Sequence, residues 1–175
     1  MILETERLSI RRIVSEDWRS IQRIFIDQGK SVYACYDRPN DTDSDIVRNR
    51  IEKWASFEKS TEHMFYAVCL EDIIIGYVAF NQREAGYEIG YCFHSQYHGK
   101  GYAKESISVL IGTIQKMGIC AFISAGTALR NTPSVKLLQS LGFKLTGTEQ
   151  VTFYKDDGGN DIYFEGGIFE LAFTM

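Results

Sequence analysis

The sequence predicts a mixed α/β (α+β) fold: a mostly antiparallel sheet of about seven strands with one parallel pair at its centre, flanked by about four helices. Three observations predict it. Seven stretches carry strand-like alternation or short apolar runs, while four others carry apolar residues at helical spacing. From Glu88 to Ala125 the order is strand, helix, strand, which requires a parallel crossover. At the C-terminal end, two long strand-like stretches flank the turn residues DDGGN, with Gly158 and Gly159 able to take the positive φ that a tight hairpin needs.

Taken in order, Glu4 to Arg12 alternates around Leu8 and Ile10 and reads as one strand with a solvated face. Ser15 then offers a cap oxygen and Glu16 and Asp17 first-turn acids for a helix whose apolar stripe is Trp18, Ile21 and Phe25, ended by Gly29. After a loop containing Tyr33, Tyr36 and Pro39, a second helix runs from about Asp43 to Lys59 with Val47, Ile51 and Trp54 on one face and a solvated charged face opposite. Phe65 to Leu70 and Ile73 to Phe80 form a hairpin about Glu71 and Asp72. The run Ile73 to Val78 is too continuously apolar for an open sheet face, so both sides must be covered. A turn over Arg83 to Gly86 returns the chain into the strand Glu88 to Phe93. From Ala103, the positions Ile107, Leu110, Ile114 and Met117 define a long buried helix face that Gly118 ends. Ile119 to Ala125 is the parallel partner, and a ligand entering between the two strands would part them at their C-terminal ends. Thr132 as cap and Pro133 as first residue open a last helix, with Leu137, Leu138 and Leu141 inward and Gly142 as its stop. Lys144 to Tyr154 and Asp161 to Phe173 complete the sheet.

At 175 residues, 1–175 reads as one domain, with no internal repeat or linker. The 45% hydrophobic and 24% charged composition excludes disorder and fibrous repeats. No apolar run is long enough to span a bilayer, and the acidic start MILETERLSI lacks the basic and apolar regions of a signal peptide, so a cytoplasmic protein with no membrane partner is expected. Four separated cysteines, with no C-x-x-C, indicate neither a metal site nor a disulfide framework. A net charge of −4 without a Lys/Arg block argues against nucleic acid.

The stretch with chemical content is EIGYCFHSQYHGKGYAKE, Glu88 to Glu105. A glycine-bearing turn that runs into a helix N-terminus presents unpaired N–H groups and the positive end of the helix dipole, an arrangement suited to phosphate. Gly99 and Gly101 allow close approach of a diphosphate, and Lys100 and Lys104 add charge. Neither a Walker motif nor the third glycine of a dinucleotide fingerprint is present.

Gln96, Gly99 and Gly101 form Q-x-x-G-x-G, which resembles the acyl-coenzyme A pyrophosphate loop of the GNAT N-acetyltransferase superfamily. The opening T-E-R-L-x-I-R (Thr5 to Arg11) is similar to that of its RimJ/RimL-like branch, and Asn131 to Phe143 resembles the second cofactor motif N-x-x-[SA]-x-x-L-L-x-x-L-G-F. The resemblance covers nearly the whole chain. It implies acetyl transfer from acetyl-coenzyme A, without metal, to a primary amine (a protein N-terminus or a small molecule) by direct attack in a ternary complex. The chain would act as a monomer or homodimer.

For cofactor contact the resemblance implies the turn from Gln96 through His98, Gly99, Lys100, Gly101, Tyr102 and Ala103, with His98 lending a backbone N–H. A backbone N–H near Phe93 would serve the thioester carbonyl, and Asn131 the pantetheine arm or its loop, its alternative being a simple turn or pre-cap role. Arg130 either reaches the 3′-phosphate or faces solvent. Relatives with a tyrosine general acid carry it where this chain has Leu138; resemblance to the RimJ/RimL-like branch implies Ser134 as the substitute, its other reading being a first-turn serine bonded to backbone. Glu88, sharing a strand face with Gly90 and Cys92, is the expected general base through water; its alternative is a structural charge partner. Tyr33 and Tyr36 either contact the acceptor or pack. Cys92, in a strand with no base beside it, reads as inert. Two other classes compete: a non-catalytic acyl-coenzyme A sensor, and Mg²⁺-dependent phosphoryl transfer.

Overall fold

The structure is a computed structural model that describes residues 2–84 and 86–173. Its elements are β1 (Ile2–Glu4), β2 (Ser9–Arg12), α1 (Trp18–Gln28), α2 (Ser44–Ser56), β3 (His63–Leu70), β4 (Ile73–Arg83), β5 (Gly86–Phe93), α3 (Tyr102–Met117), β6 (Phe122–Ala128), α4 (Thr132–Ser140), β7 (Lys144–Lys155) and β8 (Asp161–Ala172). The strands form one sheet in the order β1-β2-β3-β4-β5-β6-β8-β7, antiparallel except for β5 and β6. Of the expected turn at 83–86, Ala85 lies outside the described residues. Among the described residues no helix is long and apolar enough to cross a membrane.

The eighth strand comes from the opening stretch, which is two strands rather than one. Thr5 breaks it: its N–H donates to the Leu8 carbonyl (2.9 Å) while its Oγ1 accepts the Leu8 N–H (2.9 Å), closing a turn that local alternation does not reveal. The start of the first helix also differs. Ser15 opens a short 3₁₀ turn and makes no cap bond; the Asp17 carboxylate accepts the Val14 N–H (2.9 Å) and both arms of the Arg11 guanidinium (2.7 and 2.8 Å). An ionised carboxylate satisfied by a fork and a backbone donor outcompetes a neutral hydroxyl, which lets Asp17 be buried. At α4 the cap is Asn131, whose Oδ1 accepts from Ser134 N–H, and Thr132 already lies in the helix.

The two sheet faces carry separate cores. α1 and α2 cover one face, where Ile21, Phe25, Val47 and Ile51 meet Phe65, Ala67 and Ala79, and Trp54 stacks on Phe65 with ring centroids 4.6 Å apart. On the other, Ile107, Leu110, Ile111 and Ile114 of α3 and Leu138 of α4 pack on Val68, Val78, Phe80, Tyr87, Ile89 and Phe93. Both sides of β4 are covered, as its apolar run requires. Met117 departs from its expected place and stays exposed: it ends α3, and Ile111 fills the buried row instead. Gly76 of β4 sits under Phe93, where an added Cβ would come within 2.3 Å of the ring. That close approach seats the end of β5 from which the glycine turn departs.

Candidate functional site

The parallel pair parts. β5 is in register with β4 over its whole length, from Gly86 to Phe93, but with β6 only where Gly86, Tyr87 and Glu88 face Phe122, Ile123 and Ser124. Ile89 to Phe93 and Ala125 to Ala128 then diverge, while β6 stays paired with β8. The His94 N–H reaches the Ile75 carbonyl (2.9 Å). Because polar groups alternate sides along a strand, those of Ile89, Tyr91 and Phe93 therefore point away from β4 and into the gap. A gap edged by backbone donors and acceptors suits an extended chain bearing amides.

Beyond the gap, the turn expected to take phosphate is built on two left-handed glycines. Gly99 and Gly101 adopt φ of +72° and +82°, left-handed values that glycine takes without strain. The backbone N–H groups of Gly99 through Lys104 donate to nothing among the described residues, the first return bond being Glu105 N–H to the Gly101 carbonyl (3.0 Å). Lys100 lies beside them, its Nζ 5.7 Å from the Tyr97 ring centroid, and Lys104 is exposed. His98 differs from its expected role. Its N–H is spent on the Ser95 carbonyl (3.0 Å), and its Nε2, which must donate because a carbonyl only accepts, bonds the Phe93 carbonyl at 2.7 Å. His98 thus ties the turn to the strand end. Gln96 gives its N–H to His94 Nδ1 (3.3 Å) and leaves its side chain exposed.

Three side chains brace this turn from outside it. Arg7 donates from Nε to Glu105 Oε2 (2.8 Å) and from Nη1 to the Lys100 carbonyl (3.0 Å), with its guanidinium 4.5 Å from the Tyr102 ring centroid. Thr5 Oγ1 donates to the other Glu105 oxygen (2.6 Å). Burial alone would raise the Glu105 carboxyl, but the Thr5 and Arg7 bonds outweigh it and hold it below the usual range. The opening Thr-Glu-Arg-Leu thus acts as a clamp on the helix that starts at the turn. On the opposite side Asp27, near the end of α1, accepts the Ser95 N–H and hydroxyl (both 2.7 Å), and these bonds overcome burial to keep its pKa low.

Across the gap, Ser134 at the start of α4 and Tyr91 of β5 share a hydrogen bond of 2.8 Å between hydroxyls. Burial, partly offset by that bond and reinforced by Asp37, pushes the Tyr91 phenol up to about 12, so it stays neutral in ordinary buffers. A tyrosine in an alternating strand ordinarily packs, so nothing in the sequence singles Tyr91 out. Asn131 caps α4 at this same end (Oδ1 to Ser134 N, 3.4 Å), and Arg130 is exposed.

Glu88 stands where the parallel pairing stops, opposite Asn81 and Ser124. It is exposed, Arg83 Nε donates to its Oε2 (2.9 Å), and its Oε1 has no partner among the described residues. By alternation its side chain projects from the face opposite Tyr91, so Glu88 and Ser134 flank the gap rather than touch. Cys92 shares the Glu88 face, where burial, with help from Asp37 and Asp27, pushes its thiol up to about 12; at neutral pH it is no nucleophile. Tyr36 packs edge-on against Phe164 with centroids 5.4 Å apart, and Tyr154 donates to the Ala34 carbonyl (3.1 Å), so the α1–α2 connection rests on the final hairpin. Tyr33, at the start of that short turn, is half-buried. Among the described residues no group of three or more His, Cys, Asp or Glu is placed to hold a metal ion.

Known proteins share this fold. A family model described as "Acetyltransferase (GNAT) domain" matches residues 7–144. "Uncharacterized N-acetyltransferase p20" of Bacillus licheniformis is 31% identical over 150 residues, 83% of each chain. "Uncharacterized N-acetyltransferase YnaD" of Bacillus subtilis (strain 168) is 28% identical over 151 residues, 84% of this chain and 85% of that one. Among solved structures, the ribosomal-protein-S5-alanine acetyltransferase of Vibrio fischeri superposes with a TM-score of 0.83 at 22% identity, covering 98% of this chain and 96% of that one. The ribosomal L7/L12 α-N-protein acetyltransferase RimL, in complex with coenzyme A, superposes with a TM-score of 0.83 at 15% identity, covering 98% of each chain.

Proposed function

Because the chain belongs to the GNAT acetyltransferase family, we propose that it moves the acetyl group of acetyl-coenzyme A to a primary amine, on a protein N-terminus or a small molecule, by direct attack in a ternary complex. The observation that carries this reading is the parting of β5 from β6 after Glu88 next to the unpartnered N–H groups of Gly99 through Lys104. We take residues 1–175 as one acetyltransferase domain, working in the cytoplasm without metal.

The residues present fit the coenzyme. The N–H groups of Gly99 to Lys104, with Lys100 and Lys104, suit its diphosphate, and the polar groups of Ile89 and Tyr91 suit the amides of its pantetheine arm, the Phe93 carbonyl being held by His98. Bound there, acetyl-coenzyme A supplies a thioester whose carbonyl carbon is the electrophile.

The chain's own groups then have three tasks. An attacking amine must be neutral, yet an unperturbed lysine-type amine has a pKa of about 10.4 and an α-amino group about 8. Glu88 Oε1 accepts the proton through a water, with Arg83 fixing the carboxylate plane. The Phe93 N–H, directed into the gap, stabilises charge on the carbonyl oxygen. Ser134 donates its hydroxyl as a hydrogen bond to the departing sulfur, which leaves as a thiolate and takes its proton from solvent, while Tyr91 donates to Ser134 Oγ and so turns the serine proton toward the gap. The inert thiol of Cys92 favours direct attack over a covalent acyl-enzyme.

Replacing Glu88 by Gln and Ser134 by Ala while following thiol release over a panel of amines tests these roles. Loss of general acid–base catalysis lowers the rate by about 10²–10⁴-fold. Unchanged rates in both variants would remove the assignments.

A further inference from the structure

The α1–α2 connection holds a carboxylate that acetyl transfer itself does not use. Asp37 lies half-buried in the α1–α2 connection, at the wall of a cavity of about 360 Å³ that Phe25, Gln28, Ala34, Asn40 and Tyr154 also line. Arg50 donates to Asn40 Oδ1 (2.8 Å), Asn40 Nδ2 to Gln28 Oε1 (2.8 Å), and Gln28 Nε2 to Asp37 Oδ2 (3.1 Å). A guanidinium can only donate, so it fixes the orientation of both amides in turn and delivers one N–H to the carboxylate.

The other oxygen, Oδ1, has no hydrogen-bond partner among the described residues. No side-chain oxygen there is both buried and unpartnered, so Oδ1 keeps contact with solvent. Lys30 and Arg38 border the same cavity, yet neither forms an ion pair with Asp37, and Arg38 is drawn over the Phe153 ring at 5.7 Å. Arg50 is committed to Asn40 and lies 5.4 Å from the Phe25 ring centroid. Phe25, which lines the cavity, packs edge-on against Tyr77 with ring centroids 5.9 Å apart, and Tyr77 is paired with Cys92 in the splayed half of β5.

Resting on the acetyl-transfer reading, we propose that Asp37 binds a second, non-reacting cationic group of the acceptor, so that preferred acceptors carry an ammonium or guanidinium besides the amine that is acetylated. A half-buried carboxylate oriented by an amide and lacking a cation of its own favours a cationic ligand. The nitrogen it holds keeps its proton and cannot attack, so the reacting amine is another one. Phe25 and Tyr154 offer apolar surface for the carbon chain between them.

The probes are α,ω-diaminoalkanes and n-alkylamines of matched length, with wild type and Asp37→Asn, which keeps the side-chain size and the bond from Gln28. In thiol release, wild type prefers diamines at least about tenfold in kcat/KM, the gain expected of a charge-assisted bond. Asp37→Asn brings that ratio near one by raising the diamine KM, leaving the monoamine kcat/KM and the acetyl-coenzyme A KM unchanged. Equal ratios in both proteins would overturn the subsite. Calorimetric titration of the same diamines into protein saturated with coenzyme A needs no turnover: weaker binding to Asp37→Asn supports the subsite, and equal binding overturns it. Absence of thiol release with every amine would overturn acetyl transfer alone, and the titration would still decide the role of Asp37.

Discussion

Gly99→Ala perturbs the coenzyme turn through its backbone alone. Gly99 sits at φ +72°, and an added Cβ meets nothing within 4 Å, so the substitution brings conformational strain without a clash. An L-residue held in the left-handed region costs about 1–2 kcal/mol. The turn is exposed, and its N–H groups from Gly99 onward make no internal bonds, so the variant relaxes in the absence of ligand and its stability hardly changes. Converging those N–H groups on a diphosphate reimposes the left-handed geometry. The cost then reappears as an affinity for coenzyme A weakened by about 5–30-fold, with kcat at saturating acetyl-coenzyme A near wild type. Gly112→Ala is the control: it lies within α3, with nothing within 4 Å of its added Cβ and no positive φ. That change stabilises a helix interior by about 0.5–1 kcal/mol, or about 1–4 °C in Tm, and leaves affinity alone. Isothermal titration with coenzyme A and thermal melts of both variants read these quantities. Wild-type affinity in Gly99→Ala would refute the reasoning.

Two other substitutions probe the groups around the gap. Tyr91→Phe removes the hydroxyl bonded to Ser134 and lowers the thiol-release rate about tenfold, the worth of one hydrogen bond; in a Ser134→Ala background the same change has no further effect, and additive losses would contradict a role exercised through Ser134. Arg7→Ala and Glu105→Gln each raise the KM for acetyl-coenzyme A with kcat unchanged. The double variant is no worse than either single one because both belong to one network, and Arg7→Lys gives no rescue, since an ammonium cannot reproduce the guanidinium fork.

The parts of this account that were legible in the sequence rest on local signals. Helical spacing marks the buried face of α3 through Ile107, Leu110 and Ile114, and the glycines at 99 and 101 mark the turn before it. Strand, helix, strand makes β5 and β6 parallel, and the place where they part falls next to Glu88. What was not legible depends on residues far apart in the chain. Arg7 meets Glu105, and Tyr91 meets Ser134, only after the sheet is assembled. The break of the opening strand depends on whether the Thr5 hydroxyl turns back on Leu8, and the burial of Asp17 ahead of α1 on whether Arg11 reaches it. His98 was legible as part of the turn, but its bond to the Phe93 carbonyl requires knowing where the strand ends. Asp37 carried no motif, because its setting comes from Gln28, Asn40 and Arg50 on separate elements.

The central claim is that the N–H groups of Gly99 through Lys104 hold the diphosphate of coenzyme A while its arm lies between β5 and β6. Backbone amide NMR during titration with coenzyme A tests it most directly. The account predicts the largest shifts at Gly99 to Lys104, followed by Ile89, Tyr91 and Phe93, with saturation at one equivalent. Unmoved amides at Gly99 to Lys104, or shifts confined to other parts of the chain, would contradict it.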